Sequence, residues 1–237
     1  MPRQTETEPA RPETEPARPE TGPRRPMKPH KPHQPAIDKT PNMAETQFHH
    51  ALRLIDEAHA QDPKKVTING IEKPYELHYA QKMSHYLEKR CPAAPEPLRL
   101  AIRAQHFRRW EIPRDSYPMT KPGYHAWRTY LKKRQAEMAA QICVECGYGG
   151  EDAERVASMI RKDDFKKDEE TQILEDVACL VFLDDQFEEF EKEHDEEKIV
   201  TILKKTWGKM SEKGHELALE ISMSDRAKSL ITKALST

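Results

Sequence analysis

Glycine is scarce in this sequence, and so is any alternation of strand with helix. From Ala44 to Thr237 there are seven glycines, and no succession of strands and helices can be traced. That excludes strand-rich sandwiches and doubly wound nucleotide-binding sheets, whose many tight turns call for glycine. Cysteine is scarce as well. Cys91, Cys143, Cys146 and Cys179 are too few for a disulfide framework, and the N-terminus lacks the apolar core of a secretory signal, so reduced thiols in a cytoplasmic or nuclear protein are expected. No stretch approaches the roughly 20 apolar residues of a membrane span, so no membrane partner is expected. An excess of one charge is missing too. The 39 basic and 41 acidic residues nearly cancel and are interleaved, which predicts no dedicated DNA-binding surface while leaving room for a local basic pocket.

What the first 43 residues do contain is a repeat. Residues 6–26 read ETEPARP, ETEPARP, ETGPRRP, and MKPHKPHQPAIDKTP follows. Eleven of the nineteen prolines lie before Met43 and the first aromatic residue is Phe48, so residues 1–43 are expected to be a disordered tail with nothing to offset the entropy of ordering. Their glutamates argue against a mitochondrial presequence.

Residues 44–237 are rich in helix formers and predict a single all-α domain of about seven to nine helices. Phe48, Ala51, Leu52, Ile55 and Ala58 recur at helical spacing up to Asp62-Pro63. VTINGIEKP carries an Asn69-Gly70 turn, read as a surface loop more readily than as a minimal hairpin. Pro74 opens PYELHYAQKMSHYLEKR, whose Tyr75, Leu77, Ala80, Met83, Tyr86 and Leu87 form the expected core stripe. LRLAIRAQHFRRW predicts a third helix, His125 to Cys146 a long one, and EDAERVASMIRKD a shorter one. DEETQILEDVACLVFLDDQFEEFEKEH is the most apolar segment and should be the central buried helix. Two or three helices complete the chain, the last capped by Ser224.

Several side chains sit where a core is expected but carry polar chemistry. Asp176 lies on or beside the apolar stripe of its helix, where a lone carboxylate costs several kcal/mol. Either an arginine such as Arg103 or Arg109 pairs with it, or it has a catalytic or metal-binding role. His106 lies four residues after Ile102 and four before Trp110, and reads either as a packed histidine or as a ligand. Glu76 reads as a partner of the helix N-terminus or as an oxygen donor. The basic and aromatic group Arg108, Arg109, Trp110, Arg114, Tyr124, His125, Trp127, Arg128, Lys132 and Lys133 flanks a proline-rich loop. It suits a phosphate or a nucleotide base, or is a solvated face with cation–π packing. The spacing of Cys143 and Cys146 fits metal or redox chemistry, but without a second pair two packed thiols are the simpler reading.

The order of these elements resembles the His-Asp (HD) domain phosphohydrolases, with LAIRAQHFRRW in place of the His-Asp segment and LEDVACL in place of the distal Asp segment. That resemblance implies an HD-like fold and a divalent cation, manganese or magnesium, held by Glu76, His106 and Asp176. Asp176 and His106 would then be the catalytic pair in the hydrolysis of a phosphoester, with Gln105, Arg109, Trp110, Arg128 and Lys132 binding a nucleotide or another phosphorylated small molecule. Here Gln105-His106 stands where the pattern has His-Asp, and only Asp176 matches by residue type. The alternative is a ligand-binding or scaffold protein that kept the fold without the metal.

PYELHYAQKMSHYL, AQHFRRWEIPRDSYPMTKPGYHAWRTYLKKRQAEMAAQI, QILEDVACLVFL and EEKIVTILKKTWGKMSEKGHELAL resemble a bacterial and fungal family known as domain of unknown function 4202. That resemblance covers nearly everything after Met43 and implies no established activity. Its fungal members often bear the label glutamyl-tRNA synthetase. Lys209 to Gly214, KMSEKG, superficially matches a KMSKS-type loop, but no HIGH-type sequence or Rossmann pattern accompanies it, and synthetase activity is not expected.

Overall fold

Side-chain caps set the starts of six helices. The computed structural model describes residues 45–236, and the expected tail lies outside them. The hydroxyl or carboxylate oxygen of Thr46, Thr120, Asp168, Asp195, Ser211 and Ser224 each accepts a backbone N–H three residues on, satisfying a donor the helix cannot. The helices are α1 (Gln47–His59), α2 (Tyr75–Arg90), α3 (Glu96–Arg103), α4 (Lys121–Glu145), α5 (Gly150–Arg161), α6 (Glu169–Val181), α7 (Phe187–Glu193), α8 (Glu196–Trp207), α9 (Glu212–Leu219) and α10 (Asp225–Leu235). The all-α expectation therefore holds for the described residues. They carry one helix more than the expected seven to nine, because the segment read as one central helix breaks after Val181 into a π-helical stretch, Phe182–Gln186, before α7.

VTINGIEKP is a hairpin and not a loop. Strands β1 (Lys65–Ile68) and β2 (Ile71–Pro74) pair antiparallel, with Ile68 opposite Ile71. Asn69 and Gly70 both take positive φ, 52° and 77°, the left-handed pair that a two-residue hairpin turn requires.

Two further differences from the expected helices bear on function. The buried face of α2 is Glu76, Tyr79, Ala80, Met83, Tyr86 and Leu87, so the stripe runs through Glu76 while Leu77 is only half-buried. The third helix stops at Arg103 instead of continuing to Trp110. His106 and Arg108 are left-handed (φ 61° and 49°), and the chain turns through residues 104–112 before a proline-rich loop. The Gln105-His106 doublet thus sits on a turn, where its side chains escape the regular spacing of a helix.

α6 is the central helix as expected, burying Ile173, Leu174, Val177, Leu180 and Val181. It runs antiparallel along α2. Asp176 meets Arg90 near the end of α2, while past Val181 Asp184 meets Lys82, Asp185 meets His78 and Gln186 meets Tyr75. The long α4 buries Trp127, Leu131, Gln135, Ala136, Ala139 and Cys143 on one face. On that helix Arg128 and Lys132 point within the same arc, so two cations share the inward face near its N-terminal end.

Candidate functional site

Asp176 is fully buried, and its oxygens are occupied. Oδ1 accepts from the Ser211 backbone N–H at 2.7 Å and from Gln172 Nε2 at 3.0 Å, while Oδ2 accepts from Ser211 Oγ at 2.5 Å and from Arg90 Nε at 2.8 Å. The ion-pair alternative is therefore the one found, with Arg90 as the partner. Arg103 is engaged elsewhere, bidentate to Asp56 at 2.6 and 2.8 Å, and Arg109 faces His106. The KMSEKG stretch supplies Ser211, which caps α9 and bonds Asp176 at once.

Glu76 is buried at the other end of α2. Its Oε1 accepts from the Trp110 backbone N–H at 3.2 Å, and Oε2 lies 3.4 Å from His59 Nδ1. His59 Nε2 donates to the Arg103 carbonyl at 2.9 Å, which places a proton on Nε2, while Nδ1 and Glu76 Oε2 face each other without a hydrogen bond. Burial pushes the Glu76 carboxyl above the usual carboxylate range, against the pull of His59.

His106 stacks on Tyr79 with ring centroids 4.4 Å apart and accepts at Nε2 from Arg109 Nη1 at 3.0 Å, so the neutral ring carries its proton on Nδ1. Burial, and then the charges of Arg109, Arg128 and Lys162, hold it well below the usual histidine range.

These placements bear on the expected metal ligands Glu76, His106 and Asp176. Glu76 and the Asp176 partner Arg90 are fourteen residues apart on α2, about 21 Å of helix at ~1.5 Å per residue. Asp176 is saturated by donors, and His106 turns its lone pair to a guanidinium. Among the described residues no group of three or more His, Cys, Asp or Glu side chains is placed to hold a metal ion. Glu76, His106 and Asp176 therefore do not fit a common divalent cation. Cys143 and Cys146 are buried free thiols, and burial pushes the Cys143 thiol up to about 12.

The predicted basic group does gather, in part. The Arg109 guanidinium lies 4.7 Å from the Trp127 ring, beside His106. Trp127 Nε1 in turn donates to the Ile112 carbonyl at 2.9 Å, tying α4 to the turn. Trp110 enters the wall through its backbone bond to Glu76. Arg128 and Lys132 make no hydrogen bond or ion pair among the described residues. Lys132 is held below the usual lysine range by burial and by the charges of Lys162, Arg128 and Lys209, outweighing the pull of Glu175. Arg109 is likewise depressed by burial and by Arg128. Gln105 and Gln135 are buried, and each has an amide nitrogen without a hydrogen-bond partner. Arg114 donates to the carbonyls of Tyr117, Pro118 and Thr120 on the loop, and its guanidinium also lies 5.8 Å from the Tyr124 ring and 5.9 Å from the Trp127 ring, the cation–π packing named as the alternative.

Sequence reasoning missed Glu175, Lys162 and Lys209. The buried carboxylate of Glu175 bonds Lys162 and sits 3.2 Å from Lys209 Nζ. Burial raises its pKa, but the two lysines outweigh burial and the net shift is downward. A signal existed in Glu175 itself, which precedes Asp176 on the most apolar helix. Lys162 and Lys209 lie in connections after α5 and α8, and no spacing rule pairs them with it.

A family model described as Domain of unknown function (DUF4202) matches residues 49–231. No curated protein and no solved structure matches the chain.

Proposed function

The chain belongs to the DUF4202 family, and because membership assigns no chemistry we propose from the site itself that this protein binds a phosphorylated small molecule, such as a nucleotide, without a metal centre. The observation that carries this reading is the uncompensated charge on the inner face of α4. Arg128 and Lys132 form no ion pair among the described residues, and Arg109, Lys162 and Lys209 lie within electrostatic range of one or both, as Glu175 does of Lys132. One carboxylate, that of Glu175, is bonded into this group. Half-buried cations that repel one another cost free energy unless an anion joins them, and guanidinium and ammonium groups together suit phosphoryl oxygens. The amides of Gln105 and Gln135 offer unused donors from the turn and from α4.

The hydrogen bonds of Asp176 and of Glu76 Oε1 serve the frame. They fix α9 to α6, and the 104–112 turn to α2, and so hold the cations in place. This matches the ligand-binding alternative to a metal-dependent hydrolase. The test is calorimetric titration of the full-length protein with phosphate and with adenosine and guanosine mono- and triphosphates. Binding that weakens at least about tenfold in Arg128→Gln, roughly 1.4 kcal/mol, is expected. Absence of binding by the unaltered protein, or binding indifferent to Arg128→Gln, refutes the reading.

A further inference from the structure

These cations fall into two groups supplied by different parts of the fold. Arg109, from the 104–112 turn, bonds His106 of the His106–Tyr79 stack, and Arg128, from α4, lies within electrostatic range of Arg109 and His106. Lys162, after α5, and Lys209, before α9, converge on Glu175 of α6. Lys132 joins the two groups. It is one helical turn from Arg128, which puts their Cβ atoms about 5–6 Å apart, and it lies within electrostatic range of Lys162, Lys209 and Glu175.

Charge counting separates the groups further. The first holds two arginine cations that form no ion pair among the described residues, with the buried Glu76 carboxylate within electrostatic range of Arg109. The second holds three lysines and one carboxylate, which leaves two positive charges over. A single phosphate at the arginines would leave the lysines as they are. A ligand with a second phosphoryl group next to the first would meet Lys132 and then the lysines now held by Glu175. Glu175 cannot withdraw, because its side chain is buried on the central helix. It therefore remains as a resident anion against which any second anionic group must compete.

Resting on the anion-binding reading, we propose that these cations select ligands carrying two or more adjacent phosphoryl groups, with the first on Arg109 and Arg128, the second on Lys132, Lys162 and Lys209, and Glu175 as the carboxylate that sets the threshold for the second. The same chemistry serves a nucleoside di- or triphosphate and an inorganic polyphosphate, and the phosphoryl pair is the shared feature.

The experiment is calorimetric titration of the full-length protein with inorganic phosphate, pyrophosphate and tripolyphosphate in metal-free buffer. It is repeated with Arg128→Gln, Lys132→Gln and Glu175→Gln, and thermal unfolding confirms that each variant is folded. The unaltered protein is expected to bind pyrophosphate about tenfold or more tightly than phosphate. Lys132→Gln, which breaks no bond of the frame, should weaken pyrophosphate about tenfold more than it weakens phosphate. Arg128→Gln should weaken both ligands, and Glu175→Gln should tighten pyrophosphate severalfold. Equal affinity of the unaltered protein for phosphate and pyrophosphate overturns the two-subsite inference and leaves the anion-binding reading standing. So does an equal loss of both ligands in Lys132→Gln. Weaker pyrophosphate binding by a folded Glu175→Gln variant removes Glu175 from its assigned role. If the unaltered protein binds none of the three, the anion-binding reading falls and the inference falls with it. A direct comparison of adenosine diphosphate with pyrophosphate then tells a nucleotide source from an inorganic one.

Discussion

Replacing Asp176 by asparagine separates a structural carboxylate from a functional one. In the folded protein the Asp176 oxygens accept four hydrogen bonds, two of them from Ser211 and one from the charged Arg90. Asparagine keeps one oxygen and turns an NH2 group toward donors, so about half of these bonds are lost and two donors are brought face to face. Arg90, whose side chain is 14% exposed, loses its counter-ion. Breaking a buried ion pair by removing one partner costs about 3–5 kcal/mol. For a domain of this size roughly 2–4 °C accompany each kcal/mol, so the midpoint of thermal unfolding should fall by about 6–20 °C. The assay is thermal unfolding followed by far-ultraviolet circular dichroism. Arg90→Met and the double variant run alongside, since the two side chains share one bond and their effects should fall well short of additive. A midpoint within about 2 °C of the unaltered protein would refute the reasoning, because the buried network would then carry no stability. Loss of bound manganese in a folded variant of unchanged midpoint would restore the metal-ligand role for Asp176.

Three other outcomes follow from the same geometry. A Cβ on Gly214 would stand 2.8 Å from Asp176 Oδ1, which four bonds hold in place, so Gly214→Ala should cost about 1–3 kcal/mol in urea unfolding, whereas Gly150→Ala, with nothing nearby, should be neutral or slightly stabilising; equal effects at the two sites would contradict this. Glu76 has a raised folded pKa, so its contribution to stability is present at low pH and lost as pH rises through that value. Glu76→Gln keeps an acceptor for the Trp110 N–H and removes this loss, so the stability of the unaltered protein relative to the variant should fall as pH rises from about 4 to 7, and a difference that is flat or grows with pH counts against the assignment. Cys143, Cys146 and Cys179 are buried, with the Cys143 and Cys179 thiols pushed up to about 12, while Cys91 is half-buried; a disulfide reagent at pH 8 should label Cys91 first, and rapid labelling of all four in the folded protein would show that the packing is wrong.

The sequence by itself determined the helical class, the Ser224 cap and the central place of α6, because these depend on local periodicity and on backbone donors within three residues of the capping group. It also marked Asp176, Glu76 and His106 as polar groups near the core, since burial of a charge can be read from its apolar neighbours along a helix. It misplaced the helix end after Arg103, because left-handed turns at His106 and Arg108 have no glycine to announce them. Only the tertiary structure decided which charges meet. Arg90 reaches Asp176 across 86 residues, and Lys162 and Lys209 reach Glu175 from two separate connections. Such pairings follow from how α2, α4 and α6 pack against one another. That packing separated Glu76 from Asp176 by most of the length of α2, and set each carboxylate among its own hydrogen-bond donors.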